Sequence, residues 1–173
     1  MYIRPPAHAL SILMHLHEEL SPEMSDKPSK TAIRAWARLL KAQRIALGTV
    51  ETALKDAGLP PLVWYDVLLE LERAGASGLR PFELERTMLL AQYNLSRLLD
   101  RIEEQGYVER RDCPDDGRGR VVRITDSGRA VRRRMWPVYG RAIESVIGQR
   151  LQAGEAAELA ETLGKIIEPS SRP

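Results

Sequence analysis

The chain has 173 residues, 43% hydrophobic and 29% charged, with a formal net charge of +2; that balance is that of a packed globular domain, so disorder is not the default expectation. One cysteine excludes an internal disulfide and a cysteine-built zinc site, and no apolar run approaches the roughly 20 residues of a membrane span. The N-terminus lacks the basic start, apolar middle and small-residue cleavage site of a signal peptide, so a cytoplasmic protein with no membrane partner is expected.

In chain order, residues 1–29 are bracketed by prolines. Leu10, Leu13, Met14, His17 and Leu20 predict a short amphipathic helix there, followed by a linker from Pro22. A long helix is expected over Thr31 to Ala57, with Thr31 as its cap, Ile33, Trp36, Leu40, Leu47, Val50 and Leu54 at helical spacing, and Gly58 as its stop. Leu59-Pro60-Pro61 opens a helix whose core side is Leu62, Tyr65, Leu68, Leu69 and Leu71, ended by Gly75 and Gly78. Pro81 starts a third helix, PFELERTM, with acids in its first turns. A fourth runs from Ala91 to Gln105, its inner face Leu95, Leu98, Leu99 and Ile102, its other side Gln92, Tyr93, Asn94, Ser96 and Arg97. Two runs of period two, Tyr107–Arg111 and Arg120–Ile124, flank CPDDGRG and predict a hairpin. Thr125 or Asp126 then caps a helix to Leu151 that Pro137 should bend or interrupt. Ala153-Gly154 breaks the run before a last helix, Glu155 to Ile167.

Helix, turn, helix, then basic hairpin is the order of a winged helix. The fourth helix opens with amide and hydroxyl side chains; Asn and Gln pair with adenine, Arg with guanine, and a helix N-terminus favours phosphate. A polar surface turn is the plain alternative. From Gly117 to Arg134 there are seven arginines against one acid, Asp126. A solvated helix face would also produce such a run, but every base in it is arginine, the side chain suited to phosphate forks and minor-groove insertion. The first and the last two long helices are too apolar on one side to stand alone. A second copy of the chain solves their burial and sets two recognition helices one or a few DNA turns apart; an intramolecular bundle is the alternative. No Gly-rich phosphate loop or nucleophile–base spacing appears, so neither an enzyme nor a cofactor is expected. His8, His15 and His17 lack a further ligand nearby for a metal site. Arg110 and Arg111 beside Cys113 favour a thiolate, with no resolving cysteine in the chain.

LSRLLDRIEEQGYVER and DGRGRVVRITDSGR resemble, respectively, the recognition-helix and wing patterns of the multiple-antibiotic-resistance-regulator (MarR) family, and the resemblance runs from Thr31 to Ile167. It implies a mainly α fold: a winged helix-turn-helix domain with a two-stranded β wing, flanked by N- and C-terminal dimerisation helices. The implied organisation is an extension at 1–29, dimerisation helices at 30–58 and 125–168, a winged-helix core at 59–124 and a tail at 169–173. Asp116, Arg118, Thr125 and Gly128 fall on the wing signature. Gln92, Tyr93, Asn94, Ser96, Arg97, Arg101, Arg118 and Arg120 fall where double-stranded DNA is contacted, with Arg118 in the minor groove. Ala91 and Tyr93 depart from the Ser, Thr or Pro that the family often has there. The resemblance also implies a homodimer with a small phenolic or anionic effector. Trp36, Trp64, Tyr65, Asp66 and Arg111 are the candidate pocket, aromatic walls with a few polar groups; core packing of the aromatics and an Asp66–Arg111 ion pair are the alternatives. The expected function is a ligand-responsive repressor on a pseudo-palindromic operator. A helical protein–protein module and a non-specific architectural DNA binder are the rivals.

Overall fold

The structure, a computed structural model, describes residues 27–88, 94–112 and 120–167. The expected N-terminal helix with its three histidines, Gln92, Tyr93, the tip residues Cys113, Asp116 and Arg118, and the tail at 169–173 lie outside the described residues. The chain divides into two compact units, Met1–Leu40 and Lys41–Pro173.

Helix α1 spans Lys30–Asp56. Its cap is Ser29 rather than Thr31: the Ser29 Oγ accepts the Ala32 N–H at 3.1 Å, the usual service of an N-cap hydroxyl to an orphan amide. Helix α2, Leu62–Ala74, follows Pro61, which has no side-chain oxygen to cap it. Glu51 of α1 substitutes, its Oε1 accepting the Leu62 N–H at 3.1 Å. Gly75 ends α2 at φ 63, a left-handed conformation that costs glycine little. Helix α3, Pro81–Thr87, has proline in its first turn, and the Glu83 carboxylate accepts the Arg80 N–H at 2.8 Å. Helix α4 is Leu95–Glu104.

Strands β1 (Val108–Asp112) and β2 (Arg120–Ile124) pair antiparallel, from Val108 opposite Ile124 to Asp112 opposite Arg120. The wing has a further backbone partner that the period-two runs did not reveal. Leu79 bridges β2 on its other side, its N–H donating to the Val122 carbonyl at 3.0 Å and its own carbonyl accepting the Val122 N–H at 2.8 Å. Gly78 just before it must be glycine, because a Cβ there would press on the Val122 carbonyl and the Arg123 side chain.

Helix α5, Asp126–Ile143, runs through Pro137 and continues as a π-helical turn over Glu144–Gly148. Helix α6 is Ala153–Ile167. The break between them therefore falls before Ala153 and Gly154, which belong to the first turn of α6. The Glu155 carboxylate closes that turn, accepting the Gln152 N–H at 2.9 Å.

Helix α2 is buried without interruption from Leu62 to Leu68 because apolar clusters lie on both sides of it. Val63, Trp64, Val67, Leu68 and Leu71 join Leu84, Leu98, Leu99, Ile102, Val108, Val122, Ile124 and Val131 in the winged core. Leu62 and Tyr65 join Val50, Leu54, Met135 and Ala142 in a second cluster. Each such side chain contributes about 1.5–3 kcal/mol when fully buried, and those of the winged core are covered by other residues of the same chain. Helix α6 buries no residue, and Ile166 and Ile167 are exposed.

Candidate nucleic-acid interface

Leu98, Leu99 and Ile102 pin α4 to the core, which leaves two polar ridges on its outer side. Positions 96, 100 and 103 form one and positions 97, 101 and 104 the other, each following the four- and three-residue spacing of a helix face. Ser96, Arg97 and Arg101 are exposed or nearly so on this side of the helix. Among the described residues no acid pairs with Arg97 or Arg101. Both guanidiniums can therefore meet a phosphate or a guanine edge without first breaking an ion pair.

Asn94 is already engaged. It is the N-cap of α4, its Oδ1 accepting the Arg97 N–H at 3.3 Å. Bidentate adenine recognition uses that same oxygen together with the side-chain amide, so reading adenine in that way would make the oxygen serve two donors at once.

The signature residues Thr125 and Gly128 serve the junction behind the wing. The Thr125 hydroxyl donates to the Gly106 carbonyl at 2.7 Å and accepts the Gly128 N–H at 3.0 Å. The Thr125 N–H donates to the Tyr107 carbonyl at 3.0 Å. Gly128 is buried against that carbonyl, whose oxygen occupies the space a Cβ would need. One Thr and one Gly thus fasten the end of α4 to the start of α5.

The arginine-rich run divides once its neighbours are seen. Arg129 bonds Asp126 at 3.1 Å and the Ile124 carbonyl at 3.4 Å. Arg132 pairs with Glu72 of α2 and lies 5.7 Å over the Tyr65 ring. Arg129 fastens the start of α5 locally, and Arg132 ties α5 to α2. Arg133 and Arg134 are exposed on α5, Arg120 is exposed at the start of β2, and Arg123 is half-buried with its Nε lacking a hydrogen-bond partner.

On β1, Arg111 bonds Glu109 at 2.7 and 3.1 Å instead of Asp66. That hydrogen bond, with the charges of Arg111 and Arg123, holds the Glu109 carboxyl below its ordinary range and raises the Arg111 guanidinium above its own. The remaining pocket candidates are dispersed. Trp36 is exposed on α1 in the first unit. Trp64 meets Tyr107 edge-on in the winged core, with ring centroids 6.0 Å apart, whereas Tyr65 belongs to the second cluster. Neighbouring positions of a helix point about 100° apart, which separates Trp64 from Tyr65. Asp66, the next residue along α2, is buried, with 4% exposure.

Sequence reasoning missed the group that does surround Tyr65. Trp136 stacks on it at 6.2 Å and Tyr139 meets it edge-on at 5.2 Å. Burial first, then the neighbouring Tyr65 and Asp66, raises the Tyr139 hydroxyl above its ordinary pKa. The available signal was spacing: 132, 136 and 139 share one face of α5. Beside this cluster, an open groove of about 440 Å³ lies between α1 and α5, with Thr49, Asp56, Arg141 and Ser145 among its lining. No described helix is long and apolar enough to cross a membrane.

Comparison with known proteins follows the same outline. A family model described as MarR family matches residues 57–119, from the end of α1 into the wing. The multiple antibiotic resistance protein MarR of Salmonella typhimurium is 31% identical over 103 residues, which cover 60% of this chain and 70% of that protein. Its Escherichia coli counterpart is 32% identical over 92 residues, 53% of this chain and 64% of that protein, so that alignment spans under two thirds of the relative's length. Among solved structures, Sco3205, a MarR family transcriptional regulator of Streptomyces coelicolor in complex with DNA, superposes with a TM-score of 0.71. It is 28% identical to this chain, and the match covers 84% of this chain and 94% of that one.

Proposed function

Because the chain belongs to the MarR family, we propose that it is a cytoplasmic, sequence-specific regulator that binds duplex DNA as a homodimer and represses transcription until an effector releases it. The observation that carries the reading is the outer side of α4. Arg97 and Arg101 are exposed and unpaired among the described residues on a helix whose inner side is locked in the core. Bases are read by such side chains in a groove, while a neighbouring wing adds phosphate contacts that fix register. In this reading Arg97, Arg101 and Ser96 lie toward the major groove with Gln92 and Tyr93, and Arg118 and Arg120 contact the backbone or minor groove. Asn94 contributes as the cap that orients the first turn.

Dimerisation is supported by apolar side chains left in solvent. Ile33, Trp36 and Leu40 on α1, Ile143 on α5 and Leu159, Ile166 and Ile167 on α6 are all exposed in the single chain. Such residues on flanking helices are what an obligate interface covers. A two-fold dimer sets its recognition helices to match a two-fold operator. For the effector, the Tyr65–Trp136–Tyr139 group supplies aromatic walls suited to a phenolic molecule. It spans α2 and α5, so a ligand there would bias the winged core against the flanking helices through differential affinity for two arrangements.

A salt titration tests the wing's share. Each phosphate contact contributes roughly −0.9 to the slope of log affinity against log salt. Arg118→Ala is expected to weaken binding to every duplex and to flatten that slope by about one unit. An unchanged slope and affinity would remove Arg118 from the interface.

A further inference from the structure

The proposed reading surface of α4 rests on one arginine that does not belong to it. Arg110 of β1 reaches back across the Gly106 turn to two acids on the helix. Its Nη1 donates to the Glu103 carboxylate at 2.5 Å and its Nη2 to Asp100 at 2.6 Å, while its backbone N–H donates to the other Glu103 oxygen at 3.0 Å. The Arg110 side chain is 22% exposed, Glu103 35% and Asp100 53%. A planar guanidinium forked between two carboxylates fixes direction as well as distance. Hydrophobic contacts at Leu98, Leu99 and Ile102 hold α4 down, but burial is non-directional.

Asp100 and Glu103 occupy one outer ridge of α4, and Arg97 and Arg101 the next, one residue around the helix. From these positions we infer that Arg110 is a positioning residue for DNA recognition: it sets the rotation of α4 about its axis and so aims Arg97 and Arg101. With side chains some 5–6 Å from the helix axis, a roll of about 20° moves their outer atoms by about 2 Å. That displacement exceeds the whole distance window of a hydrogen bond, about 0.5 Å. Base readout depends on that window, whereas attraction of a guanidinium to phosphates along the backbone survives such a shift. Arg110 therefore governs selectivity more than gross affinity, through groups it does not touch. The inference rests on the DNA-binding reading above.

The experiment uses the full chain, a duplex enriched by the wild type from a random pool, and a scrambled duplex of equal length and composition. Arg110→Met, Arg110→Lys and Asp100→Asn are compared with wild type by competition binding across a salt series, with thermal midpoints recorded alongside. Arg110→Met is expected to lower the ratio of enriched to scrambled affinity by about tenfold, the size of one mismatched base pair, with the salt slope on scrambled DNA unchanged. Arg110→Lys keeps a point charge and should fall between. Asp100→Asn, at an exposed position, gives a smaller loss of the same kind and carries the test if Arg110→Met does not fold. A ratio unchanged in folded variants would overturn the inference. So would an equal loss on both duplexes tracking a lowered midpoint, which marks Arg110 as a support of the fold alone. A wild type without preference between the duplexes would instead overturn the reading beneath it.

Discussion

Ile102 of α4 and Ile167 of α6 are the same side chain on two amphipathic helices, yet the first is fully buried and the second 79% exposed. The difference lies in what each helix meets. Helix α4 lies among α2, α3 and the wing, elements close to it in the chain, and its inner side closes with Val108, Val122 and Ile124. Helix α6 has equally regular apolar positions at Leu159, Leu163, Ile166 and Ile167 and buries none of them. A hydrophobic stripe therefore specifies a helix in both places but a partner only where the chain supplies one. The winged core closes on residues of its own chain, whereas the flanking helices keep apolar side chains in solvent that the proposed dimer would cover.

The largest expected effect separates the two regions directly. Ile102→Ala should lower the unfolding free energy by about 2–5 kcal/mol, measured by denaturant titration. Ile167→Ala should change the stability of the isolated chain by no more than about 0.5 kcal/mol while weakening self-association in light scattering. Equal losses at the two positions would erase the distinction. A smaller effect concerns the junction that ties α4 to α5. Gly128→Ala forces a methyl group onto the Tyr107 carbonyl, and overpacking of this kind costs about 1–3 kcal/mol. A thermal midpoint equal to wild type would show that the junction yields freely.

The smallest effect belongs to the aromatic cluster between α2 and α5. Tyr139 has a folded-state pKa raised first by burial, so the native state holds its proton more tightly than the unfolded chain does. Its contribution is fully present below the ordinary tyrosine pKa of about 10 and is lost as pH rises through that region. Thermal midpoints should fall as pH rises above about 10, and Tyr139→Phe should flatten part of that fall. An identical profile in the variant would place Tyr139 in an environment like water.

Much of the winged core was legible because its signals are local. Apolar periodicity marked α2 and α4, Pro81 opened α3, Gly75 and Gly106 closed helices, and period-two runs around a Pro-Asp-Asp-Gly tip marked the hairpin. Boundaries depended on which of several similar residues took a given role. Ser29 capped α1 where Thr31 was expected, and Ala153-Gly154 went into α6. The site was less legible. Asp100, Glu103 and Arg110 read as ordinary surface charges, since a helix-to-strand turn brings them together across seven and ten positions. The arginine run read as one basic surface, although Arg129 and Arg132 direct their charge to partners inside the fold. Asn94 is suited equally to capping and to reading adenine, and only the backbone geometry shows the cap in place.

The central claim is that two copies of one exposed α4 surface read duplex DNA. Selection of bound sequences from a random duplex pool by the full-length protein, at a stated salt concentration, tests it most directly. The expected result is a motif whose halves are related by two-fold symmetry, with centres about 10 base pairs or a multiple apart. A pool that returns no enriched motif, or binding that treats all duplexes alike, would contradict it.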